Sequence, residues 1–310
     1  MAKVVLLLPG QGAQAPGMGK AFYDAFGEAK AVYQTANRKL GFDVTALCFE
    51  GPQEELTKTE KCQPALFVTS LAAYAAFRRV APKSLLPIAA AGLSLGELTA
   101  LAVAEAISLE EALYVVKGRG EAMAECAANS KGMMLAVVGL SKEQLEPVCK
   151  QSGAWGANYN AADQIVLSGT AEAIAKAEAL AKQAGAKRAV RLEVAGAFHC
   201  PLMQPAADKC KKILSSVSFR KPAFPVISNV TAKPVTDPEQ MRDILTTQII
   251  SPVLWEPSMR YLIDEGATHF IEFPPARVLT GLLRRIDSNS KGITIDAPAD
   301  FSKLSDVFQP

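Results

Sequence analysis

The sequence predicts an α/β protein: a large domain with a mainly parallel sheet, interrupted by a smaller inserted domain. Three observations predict this. Short apolar runs alternate with helical patterns in both outer parts of the chain, the arrangement that buries a parallel sheet between helices. The middle of the chain instead reads strand, helix, strand, strand, helix, strand, which is the ferredoxin-like β-α-β-β-α-β pattern. The chain has 310 residues, and a single core usually stops growing near ~250–300.

The first element is a buried strand, Val4–Leu8, closed by Pro9-Gly10-Gln11-Gly12. Its five apolar residues are too few to span a membrane, and no signal-peptide pattern surrounds them. Helical patterns follow at Ala21–Lys39 and Gln63–Val80. Ile88–Ala91 reads as a second buried strand. A turn at Gly92–Gly96 joins it to a helix at Glu97–Ala106, and another helix covers Glu110–Ala128. The small domain is placed at residues 131–196. It holds a strand at Met133–Leu140 and a helix announced by the Ser141/Gln144 capping-box signature. Two strands (Ala154–Asn160 and Gln164–Ser168), a helix (Thr170–Gly185) and a strand (Lys187–Val194) complete it. The large domain is therefore discontinuous, residues 1–130 and 197–310. Its second part has helices at Pro201–Leu214 and Asp237–Ile249, and strands at Pro225–Ser228 and His269–Phe273. The Pro-rich stretches at 222–225 and 234–238 read as ordered loops.

Apolar residues make up 49% of the chain and charged residues 21%, which suits a globular protein and argues against disorder. Thirty-three basic residues against 31 acidic ones give a net charge of +2, so no global basic field awaits nucleic acid. The six cysteines form no CxxC pair and no metal-ligand spacing. They read as reduced thiols of a cytoplasmic protein with no metal site.

Gly92-Leu93-Ser94-Leu95-Gly96 has the form G-x-S-x-G, in which a strand turns sharply into a helix and exposes the serine. Between an expected strand and an expected helix, it marks Ser94 as a nucleophile. A Cβ at either flanking glycine would collide within the turn, and the helix N-terminus behind Ser94 offers free N–H groups. The hydroxyl needs a base, and the chain has only two histidines. His269 lies within a strand and reads as packed. His199, in Gly196-Ala197-Phe198-His199-Cys200-Pro201, follows the small domain at the seam where a cleft should form, and is the candidate base. The glycine-rich turn after the first strand fits neither a dinucleotide fingerprint nor a P-loop. It reads better as an oxyanion site built from the backbone N–H groups of Gln11 and Leu95. Arg119 lies on the helix at 110–128. By burial trends it would be a solvated surface residue; by chemistry it could grip a carboxylate with two hydrogen bonds. Spacing does not choose between these.

Several motifs then coincide: PGQGAQ at the start, GLSLGE at 92–97, Arg119-Gly120, Asn160 before IVLSG, GAFH at 196–199, SNVTAKP at 228–234, Gln248 before SPVLWE, and RVLTGLLRRI at 277–286. In this order the chain resembles the malonyl-CoA:acyl carrier protein transacylases and the related acyltransferase domains of polyketide synthases, from about residue 4 to 286. The resemblance implies an α/β-hydrolase-like large domain with an inserted ferredoxin-like domain. It implies Ser94 as nucleophile, His199 as base, Gln11 and Leu95 as oxyanion donors, Arg119 as partner of the malonyl carboxylate, and Asn160 and Gln248 as lining the site. The histidine would be oriented by a backbone carbonyl near Gln248 rather than by an aspartate. Malonyl-CoA would be a substrate, acyl carrier protein the partner, and no cofactor is implied. Three places depart from the family pattern: Leu93 replaces a histidine, Cys200 a serine, and Pro274-Pro275-Ala276 a Gly-Pro-Gly turn. A trans-acting polyketide acyltransferase or an editing acyl hydrolase would use the same Ser/His pair. Lys209, Lys211 and Lys212, or Arg284 and Arg285, are candidates for carrier docking, although a solvated helix face is the plainer account.

Overall fold

The computed structural model describes residues 2–194, 196–275 and 277–308. Along the chain, β1 (Val4–Leu8) is followed by α1 (Lys20–Ala25), α2 (Gly27–Leu40), α3 (Val44–Glu50), α4 (Gln53–Thr57) and α5 (Thr59–Val80). Then come β2 (Ala89–Gly92), α6 (Leu95–Val103) and α7 (Leu109–Ser130). The middle of the chain holds β3 (Gly132–Val138), α8 (Lys142–Ser152), β4 (Trp155–Ala161), β5 (Gln164–Thr170), α9 (Ala171–Gln183) and β6 (Arg188–Arg191). The last third holds α10 (Gln204–Leu214), β7 (Val226–Ile227), β8 (Pro234–Val235), α11 (Pro238–Gln248), α12 (Trp255–Asp264), β9 (His269–Glu272), α13 (Leu279–Ile286), β10 (Lys291–Thr294) and α14 (Ser305–Phe308).

All five residues of β1 are wholly buried, and the two-residue period of a strand divides them between two cores. Val4, Leu6 and Leu8 pack in the cluster that contains Leu66, Phe67 and Phe77 of α5 and Leu98 of α6. Val5 and Leu7 pack with Trp255 and Met259 of α12 and Leu282 and Leu283 of α13. The sheet order is β10-β9-β1-β2-β7-β8. Its pairs are parallel except for β7 with β8. A parallel sheet with both faces covered is thus observed as expected.

The second sheet is antiparallel, in the order β4-β5-β3-β6. Leu135 and Val137 of β3 face Leu145 of α8 and Ile174 of α9. Met134 turns the other way and packs with Met123 of α7, Phe198 and Met203. This sheet therefore has one face under its own helices and one face toward the large unit. The Ser141/Gln144 capping box forms as read, with Ser141 N donating to Gln144 Oε1 at 2.9 Å.

Several boundaries differ from the sequence expectations. The pattern at Ala21–Lys39 is two helices, because Phe26 is extended and Gly27 is a weak helix former. The Phe26 ring packs against Phe301, 6.0 Å between centroids. The segment at 234–238 is not all loop: Pro234–Val235 pairs as an edge strand, the position where a proline is tolerated. The strand expected at Lys187–Val194 ends at Arg191, after which Leu192 and Val194 turn into a cavity. All six cysteines are unpaired. Among the described residues no helix is long and apolar enough to cross a membrane.

Candidate active site

β2 ends at Gly92, and α6 starts at Leu95 with Ser94 as its N-cap at φ 55°, ψ −104°. Positive φ at a non-glycine is sterically costly, and strain of this kind gathers at functional sites. The flanking glycines make it attainable. A Cβ on Gly92 would stand 1.9 Å from the Gly96 carbonyl, and one on Gly96 would stand 2.1 Å from Leu8 O. Asn229 braces the turn: its Oδ1 accepts from Ser94 N at 2.7 Å, and its Nδ2 donates to Gly92 O at 2.7 Å.

His199 reaches the same point from the loop after the small sheet, 2.8 Å from Ser94 Oγ through Nε2. Its Nδ1 lies 2.8 Å from the backbone carbonyl of Gln248. A carbonyl only accepts, so Nδ1 carries the proton and Nε2 is left with a lone pair for the serine hydroxyl. His199 is buried. Burial first, and the Arg119 charge second, push its pKa down to about 4, so the ring is neutral near pH 7.

Arg119 is only 5% exposed, which overturns the surface expectation drawn from burial trends. Its Nη1 donates to Gln63 Oε1 at 2.7 Å. Its Nη2 donates to Gln248 Oε1 at 2.9 Å and to Ser94 Oγ at 3.1 Å. All three acceptors are neutral. Burial lowers its pKa to about 10, which leaves it protonated at neutral pH.

A cavity of about 200 Å³ opens beside these groups. Gln11, Ser94, Leu95, Arg119, Asn160 and His199 all line it, so six of the seven sequence candidates meet there. Leu95 is the first residue of α6, where backbone N–H groups lack intrahelical acceptors. Asn160 brings a buried Oδ1 that has no hydrogen-bond partner. Gln248 stands elsewhere than expected. It lies behind the wall, fully buried, and holds Arg119, the Ser94 carbonyl (2.9 Å) and Glu97 (2.6 Å) together. The rest of the cavity is largely apolar, with Met123, Met134, Val166, Leu192 and Phe198 from α7, the small sheet and its exit loop.

Of the three departures, Leu93 lines the cavity next to the nucleophile. Cys200 is buried, with Sγ donating to Ala197 O at 3.2 Å and burial pushing its pKa up. Pro274 accepts a hydrogen bond from Ser70, and Ala276 lies outside the described residues. His269 pairs with Val4 at the opposite end of the sheet from Ser94. Sequence reasoning did not single out Gln63, Glu97, Asn158 or Asn229 individually. Glu97 had a readable signal: it is the sole charged residue in LGELTALAV.

The acyl transferase domain family matches residues 5–294 of the chain. The chain is 42% identical over 303 residues to the malonyl CoA-acyl carrier protein transacylase of Bacillus subtilis, covering 96% of this chain and 95% of that one. It is 36% identical over 303 residues to the Escherichia coli K12 protein of the same name, covering 96% and 97%. Among solved structures, an acyl carrier protein S-malonyltransferase from Vibrio cholerae matches with a TM-score of 0.94 at 35% identity, covering 98% of this chain and 100% of that one. A malonyl-transacylase in complex with a type II PKS acyl-carrier protein matches with a TM-score of 0.94 at 34% identity, covering 99% and 100%. With a serine at a strand–helix corner, an imidazole on its hydroxyl and relatives that align from end to end, this chain belongs to the acyltransferase family, among the malonyl CoA-acyl carrier protein transacylases.

Proposed function

We propose that the protein moves a malonyl group from malonyl-CoA to the phosphopantetheine thiol of an acyl carrier protein, through malonyl-Ser94, in a ping-pong reaction. The observation that carries this reading is that one hydroxyl, Ser94 Oγ, is held both by a neutral imidazole at 2.8 Å and by a buried guanidinium at 3.1 Å. His199 Nε2 takes the serine proton as Oγ attacks the thioester carbonyl. The N–H groups of Gln11 and Leu95 receive the oxyanion. CoA leaves with the proton from His199. The carrier thiol then gives its proton to His199 and attacks the ester, and Ser94 Oγ leaves as it takes that proton back from His199. Arg119 takes the malonyl carboxylate. Pairing there offsets the charge that depresses His199, so the base strengthens once the correct acyl group is bound. Asn160 contributes an amide to the bound thioester arm, and Gln248 holds Arg119 and His199 in register.

In this reading the large unit, residues 1–130 with 197–310, is α/β-hydrolase-like, supported by the G-x-S-x-G corner at the end of a parallel strand. Residues 131–196 are ferredoxin-like, supported by the β4-β5-β3-β6 order. The test is intact mass after mixing with malonyl-CoA. A malonyl adduct that maps to Ser94 is expected, and its absence ends the proposal. The likeness to a malonyl-transacylase solved with a type II PKS carrier favours one second reading, service to a polyketide carrier. Transfer rates to fatty-acid and polyketide carrier proteins separate the two.

A further inference from the structure

Glu97 stands three residues after the nucleophile, on the first turn of α6, and is 2% exposed. A buried carboxylate is expensive unless neighbours hold it. Its Oε2 accepts from Gln248 Nε2 at 2.6 Å and from Asn229 N at 3.1 Å. Both partners touch the reacting groups. Asn229 braces the Ser94 turn. Gln248 gives its carbonyl to His199, and its side-chain oxygen faces Arg119.

A side-chain amide has one donating end and one accepting end. The Gln248 NH₂ meets Glu97 Oε2 and Ser94 O; its oxygen meets the Arg119 Nη2 that also reaches Ser94 Oγ. A flipped amide would set NH₂ against the guanidinium and oxygen against a carboxylate. Both ends of the amide are held by a charged partner, the carboxylate accepting from its NH₂ and the guanidinium donating to its oxygen. Bonds with an ionised partner are roughly twice as strong as neutral ones, so the two charges enforce one orientation together. We propose that Glu97 is a positioning residue for acyl selection: its carboxylate fixes the Gln248 amide with oxygen toward Arg119, and so holds the guanidinium over Ser94 for an acyl group that ends in a carboxylate. This rests on the reading that Arg119 receives the malonyl carboxylate.

The ionised form that does this is present only above a certain pH. Burial, opposed by Gln248, Asn229 and Arg119, raises the Glu97 pKa to about 7. The strands packed on α6, β1, β2 and β7, carry no ionisable residue. On α5, burial pushes Cys62 and Tyr74 up to about 12, the charged Glu60 and Lys61 sit in the first turn, and Arg78 and Arg79 lie on the exposed last turn. On α7 the facing charge is Arg119. His199 titrates far lower, at about 4. Acyl preference should therefore be full above pH 7 and decline as the pH falls through it.

The experiment times acyl-Ser94 formation by quenched intact mass with malonyl-CoA and with acetyl-CoA, from pH about 6 to about 8.5, for wild type, Glu97→Gln and Glu97→Asp. The wild-type malonyl-over-acetyl preference is expected to fall about tenfold toward acid, while Glu97→Gln is flat with pH and about ten- to a hundredfold less selective. Glu97→Asp keeps a pH-dependent preference. A wild-type preference that is flat with pH overturns the proposal. So does Glu97→Gln slowing both donors equally with the wild-type pH dependence intact, the result a merely structural role gives. If Glu97→Gln does not fold, the wild-type and Glu97→Asp profiles decide by the same criterion. Absence of any Ser94 adduct in wild type would instead sink the malonyl-transfer reading itself.

Discussion

The two sheets do different work with different exposure. In the large sheet, β1 is buried on both sides and ends beside the turn that carries Ser94. In the small sheet, β3 alternates between its own helices and the cavity, and the edge strand β6 is exposed and carries Arg188 and Arg191. Charged residues on an open edge discourage pairing with other strands. The nucleophile belongs to the large unit, while Asn160, Met134 and Val166 come from the small sheet as wall. The nucleophile sits on the larger, doubly covered sheet, and the small sheet supplies part of the cavity wall.

Substitutions can break or sharpen that contrast. Ser94→Ala should lower acyl transfer by about 10⁴-fold or more and leave no malonyl adduct. Residual adduct elsewhere with normal transfer would refute Ser94 as the carrier of the acyl group. Arg119→Ala should lower malonyl transfer by about 10²–10³-fold, as expected for loss of a buried charged partner, and raise tolerance for acetyl groups. An unchanged malonyl/acetyl ratio would remove Arg119 from acyl selection. On the small sheet, Asn160→Ala should raise the KM for malonyl-CoA only about two- to tenfold, the worth of one hydrogen bond, with kcat little changed. A loss as large as that of Arg119→Ala would erase the division of labour between the sheets. The smallest effect is at the surface. Lys209 is paired with Glu125 at 2.5 Å and Arg285 with Asp163 at 2.8 Å, both exposed. Charge reversal at Lys211, Lys212 and Arg284 should raise the KM for the carrier protein a few-fold and leave malonyl-CoA hydrolysis alone. No change would leave these residues as ordinary solvated faces.

Much of this was legible in the sequence because it follows from local rules. VVLLL, the glycine-flanked serine and the Ser141/Gln144 box each encode their element within a few residues. The elements that escaped notice have weaker local signals. Lys291–Thr294 is an edge strand with one buried residue, Ile293. The short helix Val44–Glu50 is announced chiefly by its cap Asp43. Helix Trp255–Asp264 buries Trp255, Met259 and Leu262, a helical spacing whose signal is weakened by its short length and by Pro257 in its first turn. The contacts of Gln63 and Asn229 could not be read. They hold groups 56 and 135 residues away, and nothing local distinguishes such a polar residue from a solvated one. Gln248 was found only by resemblance, and its place behind the wall follows from tertiary packing.

The small sheet is not attached by chain connections alone. Val253 N donates to Ala157 O at 2.8 Å and Tyr159 N donates to Val253 O at 2.9 Å, a parallel bridge centred on Asn158. The next residue, Leu254, donates to the carbonyl of Asn229 at 2.8 Å. The β4 edge is thus pinned one residue from the brace under the nucleophile, while β6 on the far side pairs with β3 and is tied to α9 by the Arg191–Glu178 ion pair. The wall and the nucleophile's brace thereby share one run of backbone hydrogen bonds, from β4 through Val253 and Leu254 to Asn229, so a substitution that breaks the Asn158–Val253 bridge acts on the floor beneath Ser94 as well as on the wall.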